Sequence, residues 1–182
     1  MFMQPNQGWR WYFDKEADRL CITLDDDLHF KTHYKGKQLC PIAHQSQAFS
    51  TEDCKNYNLI AEMLLGYKLL PRPLLVQTVL NAVAAKRFLL PVMPKSWFFA
   101  PGSSQVAVCE DLLIELSTVA GQLGQFIVLE SNEQASLCML VDETLRLNDT
   151  KTMAMFDVIK VMNDRVIGFV SASDTDEFFK LA

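Results

Sequence analysis

Few residues in this chain could ligate a metal. There are three histidines and five cysteines in 182 residues. His29 and His33 are four apart, and so are Cys40 and His44. On a helix that spacing turns two ligands toward one ion. On a strand it spreads them over roughly 13 Å, while a bound ion needs donors at ~2 Å. The stretch His29–Tyr34 reads as strand, so no metal site is expected. Asp25-Asp26-Asp27 lacks the central glycine and closing glutamate of a calcium loop and reads as a solvated turn. Glu110-Asp111 and Asp142-Glu143 flank apolar runs and read as turns rather than an acid–base pair. Neither a phosphate-cradling glycine loop nor a GxSxG nucleophile elbow occurs. The chain reads as a non-enzyme that needs no cofactor.

The chemistry left is recognition. The net charge is −5, which argues against a general nucleic-acid binder. The charge is unevenly spread. Met63 to Cys109 holds no Asp or Glu but contains Lys68, Arg72, Lys86, Arg87 and Lys95, so the rest of the chain carries −10. Such asymmetry suggests a local basic surface on an acidic body; cations scattered by folding are the other reading. Trp9, Trp11 and Trp97 are large aromatics suited to a core. Lys95-Ser96-Trp97 also sets a cation beside an aromatic, which suits a short partner segment with acidic and apolar residues.

The five thiols show no CxxC spacing. Cys21, Cys109 and Cys138 lie within apolar runs and read as reduced core residues. The most apolar window, Leu74 to Leu90, is broken by Gln77, Asn81, Lys86 and Arg87 and cannot cross a bilayer. Met1 to Gly8 lacks a signal-peptide pattern. A cytoplasmic protein is expected, with no membrane contact.

These residues must be positioned by two different kinds of structure. Trp9–Asp14 alternates Trp9, Trp11 and Phe13 against Arg10, Tyr12 and Asp14, which predicts a strand. Arg19–Leu24 and His29–Tyr34 complete an antiparallel meander. Lys35–Phe49 reads as a loop. Ser50 can cap a helix carrying Tyr57, Ile60, Ala61, Leu64 and Leu65 on one face and ending near Gly66. Pro73 suits the first turn of a second helix running to Leu90. Pro91 and Pro94 force an extended connection, taken as the domain boundary. Beyond it, Trp97–Phe99, Val106–Cys109, Leu112–Leu116, Phe126–Glu130, Leu137–Val141 and Val166–Val170 read as short strands separated by turn residues. That spacing suggests a small barrel or sandwich. Ser171–Ala182 reads as a mobile tail.

Several ordered segments carry a family resemblance. They are Trp9–Asp14 with Asp18-Arg19-Leu20, Leu80-Asn81-Ala82 running into Arg87-Phe88-Leu89, and Met93-Pro94-Lys95-Ser96-Trp97 with Phe99. Glu130-Ser131 followed by Ala135–Cys138, and Ile159–Arg165, extend the match. Together they resemble the ZapC cell-division family from residue 9 to residue 165. The resemblance implies an α+β protein in which an N-terminal α/β region of antiparallel strands plus two helices precedes a C-terminal β-barrel-like domain. The domains expected are 1–93, 94–172 and a tail at 173–182. It implies a cytoplasmic adaptor at the mid-cell division ring that binds FtsZ directly, bundles its filaments and restrains its GTPase activity. A monomer is expected, although bundling needs either two contacts per chain or a dimer. Without the resemblance, the residues describe a two-domain interaction module with another acidic or peptide partner. If the FtsZ C-terminal tail is the ligand, with its acidic, proline and apolar residues, the candidate contacts are Lys95 and Arg165 as charge partners. Lys86 and Arg87 would support them, with Trp97 and Met93 as the apolar wall. Arg165 could instead pin a turn or pair with a neighbouring carboxylate. The ending Phe178-Phe179-Lys180-Leu181-Ala182 reads either as a functionless tail or as a tag for a cytosolic protease.

Overall fold

The computed structural model describes residues 3–25, 27–67, 70–102 and 107–169. The expected tail at 173–182, its tag and Lys68 lie outside them. The chain divides into two compact units, one of Met1–Leu64 with Leu70–Pro91 and one of Leu65–Leu69 with Val92–Ala182.

The first unit opens with the expected meander. Strands β1 (Arg10–Asp14), β2 (Arg19–Asp25) and β3 (Leu28–Lys31) pair antiparallel, and β4 (Gln47–Ala48) joins the free edge of β1 in the order β3-β2-β1-β4. The β1–β2 turn is held by Asp14 Oδ1, which accepts the amides of Glu16 and Ala17 at 3.0 Å each. Alternation works as the residue types require. Trp9 and Trp11 are buried, while Arg10 faces solvent. Trp9 meets Phe49 and Tyr57 edge-on at 5.1 and 5.4 Å, and Trp11 meets Phe88 at 5.6 Å. The Lys35–Phe49 stretch is not irregular throughout: it folds into 3-10 turns at Gly36–Gln38 and Pro41–His44 before β4.

Helix α1 (Thr51–Tyr67) starts at the expected cap. The Asp53 amide donates to Ser50 Oγ at 3.1 Å, and the Ser50 amide donates back to Asp53 Oδ2 at 2.8 Å. This reciprocal pair satisfies two otherwise unpaired amides, with Asp in the place usual for Glu. Helix α2 (Arg72–Phe88) has Pro73 in its first turn. Its interior residues Leu75, Val79, Leu80, Ala82, Val83, Ala84 and Phe88 are all buried. Each full-sized aliphatic or aromatic side chain so buried contributes about 1.5–3 kcal/mol. Asn81 is buried on the same helix, where Oδ1 accepts the His33 amide at 2.7 Å and Nδ2 donates to the Gln77 carbonyl at 2.9 Å.

The second unit is built on β5 (Leu113–Ser117), β6 (Leu123–Ser131), β7 (Ala135–Leu140), β10 (Val158–Met162) and β11 (Val166–Phe169). They form one antiparallel sheet in the order β10-β7-β6-β5-β11, beside a separate hairpin of β8 (Thr144–Arg146) and β9 (Thr152–Ala154). Here the expected barrel-like C-terminal domain is corrected: among the described residues no sheet closes. The edge strands β10 and β11 are consecutive in the chain, joined by the 3-10 turn Asn163–Arg165, yet no ladder joins them among the described residues. The reason is that Lys95–Gly102 takes hydrogen-bonding groups at that seam. Lys95 N donates to Lys160 O at 2.8 Å, Ser96 Oγ accepts Met162 N at 2.8 Å, and Gly102 N donates to Asp164 O at 2.7 Å. A Cβ on Gly102 would lie 2.0 Å from the Val166 carbonyl oxygen, so only glycine fits there.

Two smaller expectations also change. Trp97–Phe99 is not a strand; Ser96–Phe98 is a 3-10 turn, with Phe99 alone bridging to Thr118. Phe98 and Phe99 both enter the core, and consecutive strand residues would point to opposite faces. In Val106–Cys109 the described residues 107–109 form no strand, and Cys109 is exposed rather than core. Val108 is the residue that packs inward there, with its carbonyl accepting Ser131 Oγ at 2.8 Å. Cys21 and Cys138 are buried as expected, and full burial pushes the Cys138 thiol up to about 12.

Candidate functional site

One groove in the second unit gathers three cations around an apolar floor. Its first wall is the extended segment Val92–Lys95, held by the Lys95-to-Lys160 backbone bond. Its second is β10. There Ile159 and Val161 turn into the core, leaving Val158 and Lys160 half-exposed on the outer side. Its third is the β8–β9 hairpin. Asn148 Oδ1 accepts the Thr150 amide at 3.0 Å, and the Lys151 carbonyl accepts the Leu147 amide at 2.9 Å. That turn sets Lys151 at the groove, with its ammonium 5.1 Å from the Phe98 ring centroid.

The cavity measures about 120 Å³. Val92, Met93, Leu147, Met153, Val158 and Ile159 supply apolar surface, Lys95, Lys151 and Lys160 the cations, and Asp157 the one acid. Asp157 Oδ2 accepts the Ala154 amide at 2.8 Å. Organic-cofactor pockets run to roughly 300–1,000 Å³, so this groove takes one or two side chains of a partner. The charge placement is uneven for its surroundings. Residues 92–169 contain five Lys and Arg against ten Asp and Glu, and three of the five line this groove.

Of the candidate residues, Met93 and Lys95 both line this groove. Met93 is 79% exposed. Trp97 lies two residues beyond Lys95, 66% exposed rather than buried like Trp9 and Trp11, with its ring 5.6 Å from that of Phe98. Arg165 does not line the groove; its Nε lies 3.3 Å from Asp164 Oδ1, outside hydrogen-bonding alignment, and its side chain is largely covered. Lys86 and Arg87 end α2 in the first unit. Arg87 is engaged in the fold: Nη1 donates to Asp53 Oδ2 and, at 3.0 Å, to the Ala48 carbonyl. Trp11 Nε1 donates to the same Asp53 oxygen at 3.2 Å. Lys151 and Lys160 were missed from sequence. The signal for Lys151 was the Asn148-Asp149 turn, and for Lys160 the alternation of Val158–Met162.

No trio of His, Cys, Asp or Glu able to hold a metal occurs among the described residues. His29 instead sits with Nδ1 3.2 Å from both Tyr12 Oη and Thr23 Oγ1. Among the described residues no helix is long and apolar enough to cross a membrane.

Comparison with known proteins places this architecture. The family model described as cell-division protein ZapC, N-terminal, matches residues 2–90, and its C-terminal counterpart matches residues 91–172. This chain belongs to the ZapC family. A cell division protein ZapC from Aeromonas hydrophila is 39% identical over 91% of this chain and 92% of its own length. Those of Proteus mirabilis and Vibrio vulnificus are 34% and 36% identical, covering 98% and 90% of this chain and 97% and 91% of their own. The ZapC models meet between residues 90 and 91, and the compact units part between Pro91 and Val92.

Proposed function

We propose that this cell-division protein is a non-enzymatic adaptor that binds FtsZ through the Lys95–Lys151–Lys160 groove and promotes lateral bundling of its filaments at the division ring. The observation that carries the reading is the gathering of three cations around an apolar floor on an otherwise acidic unit. A partner segment suits it if an apolar side chain enters between Met93 and Val158 while carboxylates meet the lysines. Cations at the rim steer an acidic partner and set the register, and the apolar floor slows its release. Trp97, exposed beside Lys95, widens the contact. The C-terminal tail of FtsZ is the proposed occupant, and restrained GTPase activity the expected consequence of holding filaments together.

The test is co-sedimentation with polymerised FtsZ. Lys95→Glu and Lys151→Glu should each weaken binding about tenfold, which is roughly 1.4 kcal/mol, with an unchanged melting temperature. Unaltered pelleting of both folded variants would remove the groove from the mechanism. FtsZ lacking its C-terminal tail separates the occupant from the groove: retained binding that still depends on Lys95 moves the contact to the filament body.

A further inference from the structure

One wall of the lysine groove is an edge strand, and part of that edge has no hydrogen-bond partner. β10 ends the five-stranded sheet, so only β7 pairs with it as a ladder. Along an antiparallel strand the residues alternate. One turns its amide and carbonyl toward the neighbour, and the next turns both away. Bonds at both ends of β10 fix the phase. Leu140 N donates to Asp157 O at 3.0 Å, so Asp157 faces β7. Lys160 O accepts Lys95 N, and Met162 N donates to Ser96 Oγ, each at 2.8 Å, so Lys160 and Met162 face away. Val158 shares their parity. Its amide and carbonyl point off the free edge, and among the described residues neither has a partner.

An unpaired edge is a template for another strand. The chain itself already uses most of this one: Lys95 occupies the Lys160 position and Ser96 the Met162 position. Only the Val158 end stays open, and there it lines the groove together with Met93 and Met153. A helical segment cannot use it. The backbone bonds of a helix are filled internally, and at roughly 10–12 Å across a helix does not enter a cavity of about 120 Å³. An extended segment has free amides and carbonyls, and its side chains alternate between two faces.

We infer that the groove holds its partner as a short added strand on the β10 edge, with Val158 N donating to a partner carbonyl and Val158 O accepting a partner amide. This rests on the proposed use of the groove and adds how the partner is held. The occupant is an extended segment of that partner in which an apolar side chain lies between two carboxylates. The apolar side chain turns down to Met153 and Val158. The carboxylates, on the opposite face, meet Lys95 and Lys151 at the rim. Main-chain bonds then supply affinity, and the pocket and lysines supply selectivity.

The test removes the Val158 N–H alone. Incorporating the α-hydroxy acid of valine at position 158 puts an ester in place of the amide and keeps the side chain. That N–H has no partner in the fold, so the melting temperature should not change. Binding to polymerised FtsZ, read by co-sedimentation, should weaken about 2- to 12-fold, the value of one hydrogen bond. The same ester at Ile159, whose amide faces β7, should lower the melting temperature instead. Val158→Pro deletes the same donor where edge strands accept proline, and serves if the ester protein does not fold. In the unmodified chain, hydrogen exchange of the Val158 amide should slow by about tenfold or more when FtsZ polymer is bound. A folded ester variant that pellets like the parent overturns the added strand, as does an unprotected Val158 amide in the complex. Lys95→Glu separates the two claims. If it weakens pelleting while the ester does not, the groove stands without the strand. If it changes nothing, the groove reading falls and the strand with it.

Discussion

At the scale of single residues, Asp53 shows how position changes the meaning of a charge. Its Oδ2 receives Trp11 Nε1, the Ser50 amide and the Arg87 guanidinium. The carboxylate is almost fully buried and Arg87 about three-quarters buried. Removing one member of such a pair strands the other in a poorly solvated site. Arg87→Ala should therefore cost about 3–5 kcal/mol, read by urea denaturation, with Arg87→Lys recovering part of it. A loss below ~1 kcal/mol, the range of surface pairs, would show that the pair is solvated. From sequence, Arg87 was a cation in the last turn of a helix and a candidate for binding. Its partner lies 34 residues away, so only folding shows that the charge is committed. Trp97 runs the other way. Nothing in its residue type distinguishes it from Trp9 and Trp11, and only its place on a 3-10 turn leaves it exposed.

At the scale of elements, the strands that follow a clear pattern were legible. Trp9–Asp14 alternates, and Leu137–Val141 is a continuous apolar run in and just beyond β7, a strand buried on both faces. β8 and β9 are three residues each, shorter than any period can reveal. β10 alternates only weakly, because Lys160 and Val158 share its outer side. The barrel expectation failed on something no strand pattern encodes, the Lys95–Gly102 segment lying at the seam. That segment gives a sharp test. Gly102→Ala puts a Cβ against the Val166 carbonyl, which is backbone and cannot swing aside. It should destabilise the second unit by about 1–3 kcal/mol, the range for overpacking. Hydrogen exchange should locate the loss in β11 and the Asn163–Arg165 turn, and unchanged protection there would refute the close packing.

At the scale of the whole molecule, the charge distribution is the organising feature. A chain of net charge −5 gathers three lysines around one apolar groove. A contact made by solvent-accessible lysines should respond to salt. Raising ionic strength from ~0.05 to ~0.5 M shortens the Debye length from ~14 to ~4 Å. The FtsZ binding proposed for the lysine groove should weaken several-fold over that range. Fluorescence anisotropy with labelled FtsZ measures the change. Salt-independent binding to FtsZ would mean that the lysines carry little of the contact.

The sequence by itself determined much of this protein. Alternation and helical spacing, both local properties, set the opening meander and the two helices. Ser50 and Pro73 set where those helices start, and the ordered motifs from residue 9 to residue 165 marked the family. The tertiary structure alone decided which charges are available. Lys95, Lys151 and Lys160 converge from an extended segment, a hairpin turn and an edge strand, while Arg87 and Arg165 turn toward carboxylates. A binding surface depends on which distant segments meet and which polar groups each one satisfies, and neither is carried by a residue and its near neighbours.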